Sequence, residues 1–171
     1  MEHVEVGEKD LIHLRRAVEL ANKGHQDGNP AVGSVITIDG EPVAEGNNTT
    51  IVPTYDPIWH AEMTTMRRVP VELWPHAREM TCYSTLEPCI MCTTALVMHG
   101  IGRVVYGSSD PDFGGSVLLP HLPPYYEGGH GVPEWVGPSL PGECDPLRAL
   151  CHERHRIPGL NGHSVEDLFN A

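Results

Sequence analysis

The sequence predicts an α/β domain of three layers, in which helices cover both faces of a central mixed sheet. Up to Gly107, helical and strand patterns alternate in the order αββαβαβ. Strands that alternate with helices at short spacing pair in parallel, so we expect the later strands to run parallel. The 171 residues include 40% hydrophobic and 20% charged residues, which is enough chain to bury a substantial core.

The first elements are a helix and a hairpin. Apolar residues recur at helical spacing over Leu11–Lys23, and Gly24 can end that helix. The β-branched run Ala31–Ile38 predicts a strand. The turn pair Asp39-Gly40 is typical of a hairpin and returns the chain into an antiparallel strand over Pro42–Glu45.

The remaining core elements follow a polar loop, Asn47–Asp56. Their periodicity and their flanking Gly and Pro residues predict two helices and two strands. In chain order these are helix Trp59–Val69, strand Met80–Thr85, helix Cys89–His99 and strand Arg103–Tyr106. In such sheets, reactive groups gather at the carboxyl ends of strands and at helix N-termini.

The composition changes after Gly107. Segment Ser108–Asp145 is rich in Pro and Gly, and its length predicts an ordered functional loop or lid with an edge strand near Trp135-Val136. Asp145-Pro146 suits the N-cap and first position of a helix. We interpret the chain, 1–171, as one domain. Its parts are a core over about 11–113, a lid over about 108–145 and C-terminal helices over about 145–171. A capping box at Ser164–Asp167 predicts the start of the final helix.

The charge balance bears on partners. Lys and Arg number 11 and Asp and Glu 23, which gives a net charge of −12. Such a surface repels phosphate backbones, so nucleic acid is a disfavoured partner. The basic clusters in the sequence are small: Arg15-Arg16, Arg67-Arg68 and the Arg154/Arg156 pair. Neither an apolar run long enough to span a membrane nor a secretory signal is evident, and we expect a cytoplasmic protein.

The five cysteines predict thiols used for metal binding or packing. Their number is odd and two of them are spaced C-x-x-C, which favours a reducing compartment over disulfides. Cys82 lies on a predicted strand and is expected in the core. Cys144 and Cys151 could pair with His152 or His155 at a second metal. Their seven-residue spacing is not a zinc pattern and favours a structural role.

Three side chains have the types and the spacing of a zinc site. Cys89 and Cys92 lie on one face at a predicted helix start, where the N-terminus favours thiolates. His60, at another helix start, supplies a third ligand. Three protein ligands leave one tetrahedral position for water, as in a catalytic site with one Zn²⁺ per chain. Glu62 is placed to handle that water's proton; a buried thiol pair, a core histidine and a solvated carboxylate are the structural alternatives.

Together these residues form the H-x-E…P-C-x-x-C signature of zinc deaminases. The matching segments are Asp56–Met63 (DPIWHAEM), Thr85–Cys92 (TLEPCIMC) and Gly102–Gly107 (GRVVYG). Over about Leu11–Phe113 the chain resembles the cytidine deaminase superfamily, in the branch that holds tRNA adenosine, guanine and small cytosine deaminases. The resemblance does not extend over Gly114–Ala171.

The resemblance implies a sheet of about five strands, zinc on His60, Cys89 and Cys92, Glu62 as proton shuttle, and a homodimer. It also implies a base-binding Asn in the E-G-x-N pattern, which is Asn48, or Asn47 if the loop register differs by one. Backbone amides near Cys89 and Ala61 would orient the reactants. Phe113 is the first aromatic residue after the last core strand and is our candidate for stacking on the base.

Three functions are compatible with these residues. The first is hydrolytic deamination of a small nucleobase or nucleoside of guanine, cytosine or related type, in which zinc hydroxide attacks the amino-bearing carbon. The second is tRNA adenosine deamination, which the acidic charge and the lack of a basic C-terminal helix disfavour. The third is an inactive binding protein, against which the joint presence of His60, Glu62, Cys89 and Cys92 argues.

Overall fold

A mixed sheet of five strands in the order β2-β1-β3-β4-β5 organises the computed structural model, which describes residues 6–128 and 131–155. β1 is antiparallel to β2 and β3, and β3, β4 and β5 are parallel. Two 3-10 segments, Val71–Glu79 and Ser116–His121, accompany these elements. The elements are α1 Glu8–Gln26, β1 Gly33–Ile38, β2 Glu41–Asn47, α2 Ala61–Arg68, β3 Met80–Leu86, α3 Ile90–Met98, β4 Arg103–Ser108, α4 Pro124–Gly128, β5 Glu134–Val136 and α5 Pro141–His155.

Consecutive strand residues face opposite sides of the sheet, which produces the three predicted layers. Ile36 packs in a cluster with residues of α2 and α3, whereas its neighbour Val35 packs with residues of α1. The same split separates Val104 from Val105 on β4. The predicted α/β class, the parallel later strands and the sheet of about five strands are therefore confirmed.

The hairpin between β1 and β2 has the conformation that its turn residues predict. Asp39 and Gly40 both have positive φ, of 52° and 81°, which matches a type I′ turn. Asp is one of the side chains that tolerate this region, and Gly adopts it without steric cost.

Segment Ser108–Asp145 contributes to the cavity described below through its first part. Among its described residues, those that line the cavity lie in 110–117. Further along, Trp135 on β5 packs against the sheet and lies 6.1 Å from the Tyr106 ring between centroids. The expected edge strand is confirmed, and the expectation of a cover over the pocket holds only for the first part of the segment.

Helix α5 begins four residues earlier than predicted, at Pro141. The Leu140 carbonyl already accepts hydrogen bonds from the amides of Glu143 and Cys144, so a helical turn has formed before Asp145. Asp145 accepts a hydrogen bond from the Ser108 hydroxyl instead of acting as the N-cap. The predicted final helix near Ser164 lies outside the described residues.

Gly107 lets α5 approach β4 closely. A Cβ atom at this position would lie 2.3 Å from Cys144 Sγ, a separation that side chains do not reach. Cys82, Cys144 and Cys151 are buried, and none of the five cysteines forms a disulfide. No helix in the described parts of the chain is long and apolar enough to cross a membrane.

A buried ion pair connects α1 to β4. Asp10 accepts hydrogen bonds from the Arg103 guanidinium at 2.6 Å, the Tyr83 hydroxyl at 2.8 Å and the Gly7 amide at 2.9 Å. Burial alone would raise the pKa of Asp10, but these hydrogen bonds, that of Arg103 first, outweigh it and lower the pKa below its ordinary value.

We expect Asp10→Asn to reduce the free energy of unfolding at pH 7 by about 2 kcal/mol, because charge-assisted hydrogen bonds are lost. A lowered pKa in the folded state stabilises the protein above the unfolded-state pKa, about 3.9, and this contribution is lost as the pH falls through the folded value. Urea unfolding from pH 7 to pH 3 should therefore show wild type and variant converging in acid. Glu8→Gln, at an exposed position of the same helical turn, is the control. A difference independent of pH would contradict the ion-pair explanation.

Candidate zinc centre and active-site cavity

The predicted zinc group forms where the N-termini of α2 and α3 meet. His60 immediately precedes α2 and Cys89 immediately precedes α3, and both have extended backbone conformations. Cys92 lies in the first turn of α3 and is fully buried. Cys89 Sγ lies 3.5 Å from His60 Nδ1 and 3.7 Å from Cys92 Sγ. Two motifs that lie far apart in the sequence therefore converge on one point.

The spacing of these three atoms fits a tetrahedral zinc ion. Bond lengths of about 2.3 Å for Zn–S and about 2.0–2.1 Å for Zn–N place two sulfurs about 3.8 Å apart, and a sulfur and a nitrogen about 3.6 Å apart. The measured separations are close to both values, and all three atoms lie within 4.8 Å of one another. Two thiols and an imidazole are also the ligand types that zinc prefers.

The thiol pair readily gives up its first proton. The hydrogen bond with the Cys92 thiol, together with the nearby His60, lowers the pKa of Cys89 well below its ordinary value. The same contact and burial raise the pKa of Cys92. A thiolate is the form of cysteine that binds metal, so Cys89 is prepared as a ligand before metal arrives.

Glu62 lies in the first turn of α2 with its carboxylate beside the zinc group. The residue is 3% exposed and lines the cavity. The Ser84 hydroxyl on β3 donates a hydrogen bond of 2.8 Å to its Oε1. Burial raises the pKa of Glu62, and the negative charge of Cys89 raises it further. A raised pKa makes the carboxyl group a better proton acceptor, which suits a group that takes up and releases protons.

The polar loop after β2 brings Asn48, and not Asn47, to the cavity. Asn48 is 2% exposed and lines the cavity, with its Oδ1 accepting hydrogen bonds from the Thr50 amide and hydroxyl. Asn47 donates from Nδ2 to the Asn48 carbonyl and packs beside Gly24 of α1. Of the two candidates that the sequence left open, Asn48 is therefore the one that lines the cavity, and its contact with a base stays a prediction.

The cavity beside this group has a volume of about 600 Å³, within the range of small-molecule sites. Ala61 forms part of its wall at the start of α2, where backbone amides have no partner within the helix. Phe113 lies on another side and is 57% exposed. Six of the seven predicted site residues line this cavity: Asn48, His60, Ala61, Glu62, Cys89 and Phe113. The seventh, Cys92, belongs to the zinc group with His60 and Cys89.

Other residues of the site could not be recognised in the sequence. Glu87 orders the loop by accepting hydrogen bonds from the Asp110 amide and from Ser116. Asn29 fixes the Asn48 loop by accepting from the amides of Ile51 and Val52. Neither Asn29 nor Ser84 belongs to a motif, and only their contacts in the folded chain reveal them.

The sheet topology and a His/Cys/Cys group at two helix N-termini define a zinc-binding protein of the deaminase class. More particularly, the chain belongs to the family described as the cytidine and deoxycytidylate deaminase zinc-binding region, whose family model matches residues 8–108. The match includes the whole zinc group and Glu62. It ends at the last residue of β4, immediately before the segment whose composition changes.

Individual relatives differ in what they act on. The chain is 34% identical over 115 residues to a tRNA-specific adenosine deaminase of Bacillus subtilis, covering 67% of this chain and 71% of the relative. A structure from a study of A-to-I editing by tRNA:A34 deaminases has a TM-score of 0.68 at 26% identity, over 80% of this chain and 99% of that one. The guanine deaminase of Bacillus subtilis has a TM-score of 0.55 at 27% identity, over 84% and 93%.

Proposed function

We propose that this protein is a zinc-dependent hydrolytic deaminase of a small nucleobase or nucleoside. One observation carries the choice of substrate: the described residues that line the cavity include no Lys or Arg, whereas Glu87, Asp110 and Asp112 all contribute acidic side chains. A phosphate group bound there would have no Lys or Arg side chain opposite it and would meet carboxylates instead.

The arginines of two basic clusters, Arg15-Arg16 and Arg67-Arg68, make contacts with other residues of the protein. Arg15 and Arg16 form ion pairs with Glu143 and Glu45. Arg67 lies 4.6 Å from the centre of the Trp59 ring, and Arg68 donates to the Glu45 carbonyl. Two of the basic clusters noted in the sequence, Arg15-Arg16 and Arg67-Arg68, are therefore already in contact with other groups of the protein, which supports a small substrate.

Each side chain in the cavity has a role that follows from its position. Bound zinc would supply an activated water, because it lowers the pKa of its water ligand. Glu62 would take one proton from the attacking water and pass it to a ring nitrogen. It would then pass the proton of the new hydroxyl group to the amino group, which leaves as ammonia while the carbonyl forms. The Asn48 amide hydrogen-bonds the base, the Ala61 amide orients it, and Phe113 contacts its plane.

A second function, tRNA adenosine deamination, is favoured by the similarity to tRNA adenosine deaminases in both sequence and structure. The net charge of −12 and the acidic residues that line the cavity argue against tRNA as the substrate, because binding of structured RNA depends on Lys and Arg contacts to phosphates. The two functions differ in whether a free base or nucleoside is turned over at all.

Ammonia release across a panel tests the proposal. The panel contains guanine, cytosine, adenine, their nucleosides, one 5′-monophosphate and a tRNA anticodon arm, with each product identified by mass. We expect turnover of at least one free base or nucleoside. Glu62→Gln is the matched control and should be inactive on the same panel. Deamination of the anticodon arm with no activity on any free base or nucleoside would replace this proposal by the tRNA function.

We expect Ser84→Ala to lower kcat about tenfold with little change in KM, because the Glu62 carboxylate loses the hydrogen bond that orients it. Ser84→Thr retains the hydroxyl and should restore most of the rate. Steady-state kinetics on the best panel substrate, with zinc analysis of each variant, measures the effect. A Ser84→Ala protein with wild-type kcat would show that Glu62 is oriented by its other contacts.

We extend the proposal to a homodimer, because α3 leaves Ile90 and Met98 more than half exposed. Sedimentation of wild type and of Met98→Glu should show dimer and monomer respectively. A monomeric wild-type protein would remove this part of the proposal without affecting the site.

A further inference from the structure

One wall of the cavity lies beyond the part of the chain that the family model matches. The match ends at residue 108, whereas residues 110–114 and His152 of α5 line the cavity. A hydrogen bond of 2.6 Å from the Arg148 guanidinium to the Ser109 carbonyl fastens α5 to the start of this loop. This wall is therefore built by residues that the family match does not cover.

His152 is held in this wall by a carboxylate and an aromatic ring. Its Nε2 lies 3.1 Å from Asp110 Oδ2, and the Asp110 side chain is 3% exposed. The Phe113 ring meets the imidazole edge-on, with centroids 5.5 Å apart. The other ring nitrogen, Nδ1, lies 3.9 Å from Asp112 Oδ2. The imidazole therefore has a defined orientation between the loop and α5.

Asp110 sets both the loop and the hydrogen bonding of the ring. Its Oδ1 accepts hydrogen bonds of 3.2 Å from the amides of Asp112 and Phe113, which turns the loop. Its Oδ2 can only accept from His152, so Nε2 is the donor, and whenever the ring is uncharged Nδ1 is an acceptor. Nδ1 and the exposed Asp112 carboxylate then form two neighbouring acceptors at the rim.

We infer that His152 is a specificity-determining residue that accepts a hydrogen bond from an uncharged N–H or O–H donor of the substrate, with Asp110 as its positioning residue. The inference rests on the proposed function and names what the cavity recognises away from the reacting amino group. Such a donor is a ring N–H in a free base or a sugar hydroxyl in a nucleoside.

The same arrangement selects against anionic ligands. A phosphate oxygen is an acceptor, and at this wall it would meet the Nδ1 lone pair and the carboxylates of Asp110 and Asp112. The two acceptors attract a hydrogen-bond donor and repel a phosphate, so they favour neutral substrates and exclude phosphorylated ones.

His152→Phe tests the inference, because phenylalanine keeps a ring against Phe113 but has no acceptor nitrogen. KM for the best neutral substrate should rise about tenfold, as expected for one lost hydrogen bond, with kcat within a few-fold of wild type and zinc content unchanged. In a Glu62→Gln background, direct titration of the same substrate should show a matching rise in Kd. His76→Phe, at an exposed histidine that also pairs with a carboxylate, is the matched control.

The possible outcomes separate the inference from the proposed function. If wild type turns over a panel member and His152→Phe leaves its KM and Kd unchanged, the inference is wrong and the proposed function remains. If wild type turns over no base or nucleoside, the proposed function fails and the inference fails with it. Comparing the effect on a base with that on its nucleoside shows whether the donor belongs to the ring or to the sugar.

Discussion

Replacing Glu62 by glutamine should reduce turnover by at least about 10²–10⁴-fold while zinc and fold are retained. Glutamine is nearly isosteric and can still accept the hydrogen bond from Ser84, but it cannot exchange a proton. A single carboxyl serves several proton transfers in the proposed reaction, so the loss should reach or exceed the upper end of this range. Single-turnover assays, zinc analysis and thermal unfolding together measure the effect.

Glu79→Gln is the matched control, because Glu79 is an exposed carboxylate paired with His76. That variant should keep wild-type kinetics. A Glu62→Gln protein within a few-fold of wild type would mean that another group carries the protons. The buried carboxyl would then have to be explained by its hydrogen bond to β3 alone.

Replacing Cys89 by alanine should abolish stoichiometric zinc binding and, with it, activity. The variant keeps one imidazole and one thiol, and it loses the thiol whose pKa is lowered and which lies between the other two ligands. Elemental analysis of dialysed protein should find about one zinc per wild-type chain and far less in the variant. A chelator should lower the unfolding temperature of wild type only, because bound metal stabilises the folded state.

Cys144→Ala provides the control for removal of a buried thiol. Cys144 packs against Gly107 and lies outside the zinc group, so this variant should keep its metal. Full zinc content and activity in Cys89→Ala would contradict the ligand assignment. Cys92→Ala should reproduce the loss of zinc by removing the other sulfur.

Local patterns in the sequence were sufficient to predict the reactive half of the site. His60, Cys89 and Cys92 each stand at or near a helix start whose position follows from periodicity and flanking residues. A helix N-terminus constrains both the direction and the charge preference of such side chains. The sequence alone therefore predicts that the three side chains lie close together.

The residues that position other side chains of the site could not be predicted, because their roles depend on contacts between distant segments. Asp110 and His152 are 42 residues apart, and neither belongs to a local pattern. Ser84 has the ordinary signature of a buried strand residue, and its partner Glu62 lies 22 residues earlier. The early start of α5 was missed for a related reason: Pro141-Gly142 is typical of a loop, and packing against β4 determines the helix.

The family match ends at residue 108, and cavity residues lie on both sides of this point in the chain, which has a consequence for how such a protein changes over generations. Zinc ligands and the proton-carrying carboxyl precede this point in the chain, and the wall formed by the Asp110 loop and α5 follows it. Substitutions after residue 108 can therefore alter which molecule is accepted while the reaction itself is inherited unchanged. A library confined to residues 110–117 and 148–152 would explore new substrates at constant chemistry.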